Sequence, residues 1–235
     1  MNYNEAIGVV RVLIDSGIPR DAAVNNPAIP EEFREKIREE LQAEEIITLE
    51  PARLIIEGPG RDEWLRHIDR SEWYYWPTLR QYLLVSKNWQ IPVIRSLDAS
   101  TDRILGQLSS PSTEQFDIRG LVLGYVQSGK TANYTALIAK AADVGYRLII
   151  VLSGIDNGLR LQTQIRLKRE LVGYSDKREG AVSLPPLGKQ WHEYTTDDIN
   201  GDFRPGNANP AALQGPQPVL LVIKKNGTVL RRLLH

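Results

Sequence analysis

Apolar residues recur at helical spacing through the first eighty residues of the chain. This periodicity predicts amphipathic helices that bury one face against a neighbour. Proline and acidic residues at the start of the second stretch favour a helix N-terminus there. The residues that form the apolar stripes are Ile7, Val10, Leu13 and Ile14 in residues 4–17, and Phe33, Ile37 and Leu41 in residues 29–45.

From about residue 118 the pattern alternates between short apolar runs and stretches of helical spacing. The apolar runs are residues 119–126, 146–153 and 218–224. Strand–helix units in succession favour an open, mainly parallel α/β sheet. The unbroken apolar run at 146–153 is typical of a strand buried on both faces, and Gly145 before it is expected to end a helix.

The segment between the last two runs interrupts this alternation. Residues 172–217 are rich in proline and glycine and contain few apolar runs, so we expect a long irregular insertion there. The chain is therefore predicted to be α/β, with a helical N-terminal region at residues 1–80 and a mainly parallel sheet domain at residues 81–235.

A dense group of aromatic residues lies near the proposed boundary. Such side chains can stack on a nucleotide base or a nucleic-acid base, but a packed seam between helical region and sheet domain is the favoured interpretation. Trp89 and Gln90 present the same alternatives, adenine contact or a core tryptophan beside a surface glutamine, and the second is again favoured. The group consists of Trp73, Tyr74, Tyr75, Trp76 and Tyr82.

Composition excludes several function classes. Cysteine is absent, so disulfides and thiolate metal sites are excluded, and the three histidines are not at metal-binding spacing. With no long apolar run and no signal-peptide pattern, we expect a cytoplasmic protein without a membrane partner. Net charge is zero, yet residues 1–80 hold 10 Lys/Arg against 16 Asp/Glu, whereas residues 119–170 hold 8 against 3. The positive segment suits a polyanion.

That positive segment contains the pattern G-x-x-x-x-G-K-[ST]. Glycines let successive backbone N–H groups point at phosphate oxygens, and the following helix adds its positive N-terminal end. In this pattern the lysine reaches the β- and γ-phosphates and the threonine hydroxyl holds Mg²⁺. The sequence thus predicts a P-loop that binds ATP and Mg²⁺, with Lys130 and Thr131 as catalytic residues. The predicted contact residues are Gly124, Gln127, Ser128, Gly129, Lys130, Thr131 and Ala132.

Hydrolysis requires an acid that the sequence does not supply in the expected place. A strand ending in Asp or Glu normally puts a carboxylate beside the magnesium, but the run at 146–153 ends in Ser153 and the run at 218–224 is followed by lysines. No strand after the loop is expected to end in an acid. We therefore expect the chain to be a piece of a longer protein whose metal-holding acid lies beyond residue 235, and to bind ATP without hydrolysing it.

Residues 119–171, which contain both VQSGKT and GIDNGLRLQTQ, resemble the Z1 domain family. The resemblance extends to residues 97–111 upstream and 219–234 downstream. It implies an incomplete RecA-like lobe of a superfamily II helicase-like ATPase, a hydrolase of bacterial restriction-modification or phage-defence systems. Expected partners are DNA, held through its backbone phosphates, and nuclease or ATPase subunits. The second helicase motif, the second lobe and its arginine finger are absent from this sequence.

The same resemblance implies nucleic-acid contacts outside the P-loop. Ser153, Gly154 and Gln164 fall in the region where such proteins touch the phosphates of a nucleic-acid strand, and amide, hydroxyl and guanidinium groups suit backbone contacts. The residues expected to contact DNA are Arg160, Gln162, Thr163, Arg166, Lys224 and Lys225.

Two other functions compete with this interpretation. In the first, ATP is a conformational ligand and the acidic, aromatic N-terminal region docks a partner protein. In the second, the chain is a small-molecule kinase of the same loop class, which predicts a substrate lid and an acid soon after the loop.

Overall fold

The computed structural model describes residues 1–15, 18, 20–45, 63–122, 130–176 and 180–234. The chain divides into two compact units. The first unit contains helices α1 (Tyr3–Asp15), α2 (Arg20–Val24) and α3 (Glu31–Glu45). The second contains the described residues of 63–122 and 131–234.

The first unit is built around the stripes that the sequence predicts. Ile7 and Val10 of α1 pack with Ile37 and Leu41 of α3, and all four are buried. Ile29, in the turn before α3, is also buried in this core. The two predicted helices are therefore confirmed, and their apolar faces close on each other.

The helices of the second unit precede and surround a small sheet. The α-helices are α4 (Glu63–Arg66), α5 (Tyr75–Val85), α6 (Ile91–Gly106), α7 (Lys130–Asp143), α8 (Asn157–Leu167) and α9 (Gly227–Leu234). A π-helical turn, Lys168–Val172, extends α8, and two short 3₁₀ turns lie at Pro205–Asn207 and Pro210–Leu213. The strands are β1 (Leu148–Ser153), β2 (His192–Glu193) and β3 (Val219–Lys224).

The sheet is parallel, with the order β1-β3-β2. Leu148 of β1 pairs with Val219 of β3, and the register continues to Ser153 opposite Lys224. The α/β class with a helical N-terminal region is confirmed. The predicted strands at 146–153 and 218–224 form, and β2 arises inside the predicted insertion. Of the third predicted strand, residues 119–122 are not in a strand and residues 123–126 lie outside the described residues.

Each face of β3 has its own apolar cover. Leu220 and Val222 share a core with alanines of α7, among them Ala136 and Ala139, whose small side chains allow close helix–sheet approach. The residues that point the other way are buried with Val229 of α9 and with side chains of the insertion. The apolar sequence of β3 up to Ile223 follows from this burial on both faces.

The aromatic group packs into the core of the second unit. Trp73, Tyr75, Trp76 and Tyr82 are all buried, and Tyr75 contacts Trp191 with ring centroids 5.1 Å apart. The aromatic side chains are thus packed in a core, but this core lies within the second unit. Trp89 is partly buried against this core, as expected, and its neighbour Gln90 is exposed.

Candidate functional site

The last residues of the G-x-x-x-x-G-K-T pattern form the start of α7. The helix begins at Lys130, Thr131 is half-buried in its first turn and Ala132 is buried. The remaining predicted contacts, Gly124, Gln127, Ser128 and Gly129, lie outside the described residues, as does the side chain of Lys130. The predicted helix after the loop is confirmed, and it ends at Asp143, two residues before Gly145, whose φ is +102°.

The first turn of α7 lies close to charged groups at the end of α8. Burial raises the pKa of Tyr134, while a side-chain hydrogen bond with Thr131 and the charge of Arg166 act in the opposite direction. Arg166 Nε donates to Glu170 Oε1 at 3.2 Å, and the Glu170 side chain is only 5% exposed. The charge of Arg166, a predicted phosphate contact, thus acts on the tyrosine that hydrogen-bonds with the predicted magnesium ligand, Thr131.

Glu170 lies in the π-helical turn that extends α8, and sequence reasoning missed it. Such turns recur at functional sites. Its charge acts on Tyr134 and also on Tyr82, where burial is the main cause that raises the pKa to about 12. Because Arg166 already pairs with this buried acid, its carboxylate serves the fold, and the search for strand-end acids could not find it.

The carboxyl ends of β1 and β3 are joined by hydrogen bonds. Ser153 Oγ donates to the carbonyl oxygen of Ile223 at 3.2 Å, and the Lys225 amide donates to that of Gly154 at 3.2 Å. Lys224 Nζ donates to Asn157 Oδ1 at 2.6 Å. This edge therefore brings together the loop after β1, the first turn of α8, and Lys224 and Lys225 at the end of β3.

The Arg160 side chain binds the insertion and does not reach the surface. Its side chain is fully buried, and its guanidinium donates to the carbonyl oxygens of Thr196, at 3.0 Å, and Asp198. In this conformation it offers no group to a DNA phosphate. Its expected role as a nucleic-acid contact stays a prediction that would require the insertion to move.

The other predicted DNA contacts differ in accessibility. Gln162 and Lys225 are exposed. Thr163 Oγ1 donates to the carbonyl oxygen of Leu159 at 2.9 Å, and Lys224 lies 3.7 Å from a carboxylate oxygen of Asp202. A strand of DNA would meet Gln162 and Lys225 first, whereas Lys224 and Thr163 would have to exchange internal contacts for external ones.

A buried polar network connects α8 to the insertion. Gln164, fully buried, donates through Nε2 to Glu193 Oε1 at 2.9 Å and accepts from Thr195 Oγ1 at 2.7 Å. The Val222 amide donates to Thr195 Oγ1 at 2.9 Å. The Thr195 hydroxyl thus accepts a hydrogen bond from the Val222 amide beyond the end of β2, where a further strand residue would otherwise accept it. The side chain of Gln164 is used in hydrogen bonds inside the fold.

Glu193 corrects the expectation that no strand after the loop ends in an acid. It ends β2, but it pairs with Leu220, four residues before the end of β3, and so does not lie at the carboxyl edge of the sheet. Burial raises its pKa, against the nearby charge of Lys168. The signal for this short strand is the run of β-favouring residues Tyr194, Thr195 and Thr196 directly after it.

Comparison of the chain with protein-family models, curated proteins and solved structures finds no match. Within the described ranges, no group of three or more His, Asp or Glu side chains is arranged to hold a metal ion. A search of the same residues finds no helix with the length and apolar character needed to cross a membrane.

Proposed function

We propose that this chain binds Mg-ATP through residues 124–131 as the N-terminal part of a DNA-dependent, helicase-like ATPase. The observation that carries the proposal is the position of Lys130 and Thr131 in the first turn of α7. A phosphate-binding loop needs a helix that begins at its Gly-Lys-Thr end, and α7 begins there. The parallel arrangement of β1 and β3 after this helix also suits a nucleotide-binding α/β domain.

The chemistry of the motif assigns a role to each residue. The backbone N–H groups of the loop and the positive end of α7 would hold the phosphates, Lys130 would neutralise the β- and γ-phosphates, and the Thr131 hydroxyl would bind Mg²⁺. Thr131 now shares a side-chain hydrogen bond with Tyr134. Its hydroxyl would exchange this bond for the metal when the nucleotide enters.

Turnover by this chain alone is not part of the proposal. β1 ends in Ser153 and β3 in Lys224, and the acid at the end of β2 is held by Gln164 away from that edge. A P-loop ATPase needs a carboxylate near the metal to complete its site. These residues would therefore bind ATP without turnover by this chain alone, in a helicase-like ATPase of a nuclease-linked bacterial defence system.

DNA is the proposed polyanionic partner. Two exposed side chains support it, Gln162 on α8 and Lys225 after β3, together with the excess of positive charge in residues 119–170. An amide on a helix and an ammonium group at the end of a strand suit phosphate contacts, which position a nucleic-acid strand without reading its sequence.

The test is a titration of the 235-residue chain with Mg-ATP and with a non-hydrolysable analogue, with phosphate release followed in parallel. Lys130→Ala is expected to weaken both ligands at least about tenfold, because it removes a charge-assisted contact to phosphate. Lys36→Ala, at an exposed lysine of α3, is the matched control and should bind as the wild type does. Phosphate release is expected from none of the three proteins.

Two results would count against ATP binding. Either the wild type binds neither ligand, or Lys130→Ala binds them as tightly as Lys36→Ala does. A second arm of the experiment repeats the titration with single-stranded DNA at low and high salt. Lys225→Ala is expected to lower DNA affinity and the salt dependence while leaving ATP binding unchanged; an unchanged salt dependence would remove Lys225 from the DNA surface.

A further inference from the structure

One face of β1 is uncovered. Leu148, Ile150 and Leu152 are 47%, 38% and 47% exposed, whereas their register partners on β3 are at most 1% exposed. The sequence prediction of a strand buried on both faces is therefore wrong for this face. Apolar side chains this exposed cost hydration free energy, which contact with other apolar side chains would reduce.

The same strand also has an open edge. β1 is the last strand on one side of the sheet, and within the part of the chain that the structure describes no strand pairs with its outer edge. An open edge presents unpaired N–H and C=O groups to any other strand. Natural edges are protected by charge, proline or bulges, but β1 reads LIIVLS and keeps a regular register with β3.

We infer that β1 pairs antiparallel with β1 of a second copy of this chain, about a twofold axis at Ile150. In that register Leu148 lies opposite Leu152 of the second copy, Ile150 lies opposite its own equivalent, and Leu152 lies opposite Leu148. All three exposed side chains then gain an apolar partner on the same face of a continuous sheet of two copies. The inference does not depend on the proposed function.

Charge favours a second copy in this orientation. β1 itself contains no charged residue, so two identical strands do not repel each other. Exposed Arg147 stands directly before the strand and exposed Asp156 stands shortly after it. Antiparallel pairing brings the arginine end of each strand to the aspartate end of the other, whereas parallel pairing would bring like charges together.

The test measures the mass of the full chain by sedimentation equilibrium between about 1 and about 100 µM. The expected mass is twice 26.5 kDa at the upper end of the range. Leu148→Glu is expected to raise the dissociation constant at least about tenfold, because it buries a carboxylate opposite a leucine. Leu187→Glu, at a residue 94% exposed in the insertion, is the matched control.

The register gives a sharper test. Leu148→Glu combined with Leu152→Lys places opposite charges across the axis, so the double variant should regain association that Leu148→Glu loses. Ile150→Lys instead brings two ammonium groups together at the axis and should weaken association alone. Circular dichroism checks that each variant is folded.

Three results would overturn the inference. The first is a single 26.5 kDa species at every concentration, as expected if this chain's own residues or another protein cover β1. The second is a dimer that Leu148→Glu and Ile150→Lys leave as tight as Leu187→Glu does. The third is a dimer that Leu148→Glu weakens but the double variant fails to restore, which would exclude the antiparallel register.

Discussion

At the scale of single residues, Asp143 makes the contact that the sequence gives least reason to expect. It ends α7, and its carboxylate accepts hydrogen bonds from the backbone amides of Tyr74, Tyr75 and Trp76 at 2.7 to 2.8 Å. These are the open N–H groups at the start of α5, which has no cap of its own. A residue 67 positions further along the chain thus caps this helix.

Asp143→Ala is expected to lower the free energy of unfolding by about 2 to 4 kcal/mol, because it leaves amides at a buried helix end without an acceptor. Asp143→Asn retains one acceptor oxygen and should lose less. Asp117→Ala, at a carboxylate that is 75% exposed, is the control and should change stability by less than about 0.5 kcal/mol. Urea unfolding measures all three; equal losses for Asp143→Ala and Asp117→Ala would contradict the capping role.

A second residue, Glu193, should make stability depend on pH. Burial raises its pKa above the ordinary value of 4.5, so between 4.5 and the raised pKa the folded chain holds a proton that the unfolded chain has lost. This contribution to stability is complete below pH 4.5 and is lost as the pH rises through the raised pKa. Glu193→Gln should lack it, so the stability difference, wild type minus variant, should fall as the pH rises from 4.5. A difference that rises or stays constant across that interval would contradict this sign.

At the scale of elements, the agreement between sequence and structure depends on the length of each helix or strand. The long periodic stretches became α1, α3, α7 and α8, and the apolar runs before the last two helical stretches became β1 and β3. The periodicity of apolar residues could not predict β2, because two residues are too few to show a pattern. Its position is fixed by hydrogen bonds to β3. The exposure of one face of β1 was also beyond prediction, because it depends on which element covers the sheet.

The π-helical turn after α8 ends at a glycine that its surroundings require. Gly173 has φ +81° and ψ 175°, and a Cβ there would lie 2.6 Å from the backbone oxygen of Ser183. Gly173→Ala should therefore lower the free energy of unfolding by at least about 2 kcal/mol. Gly120→Ala, where a Cβ meets open space, is the control and should cost less than about 0.5 kcal/mol. Thermal unfolding measures both variants, and equal midpoint temperatures for Gly173→Ala and Gly120→Ala would contradict this expectation.

At the scale of the whole molecule, the candidate site was predictable where it depends on consecutive residues. The Gly-Lys-Thr sequence predicts the start of α7, and β1 and β3 end with their following loops side by side. Accessibility was not predictable. Arg160 lies in a basic helix by sequence, but carbonyl groups 36 and 38 residues further along bury it. Glu170 pairs with Arg166 in a local i, i+4 contact, but it was missed because its effect on Tyr134 depends on tertiary packing.

The register of the sheet also sets an order of events during synthesis. Leu148 of β1 pairs with Val219, 71 positions further along the chain. A ribosome that adds about 5 to 20 residues per second needs about 4 to 14 s to cover that distance. Throughout this interval both edges of an uncharged, apolar strand are available to neighbouring nascent chains, and closing so long a loop is slow. Chaperone supply and translation rate should therefore govern the yield of folded protein more strongly than its equilibrium stability does.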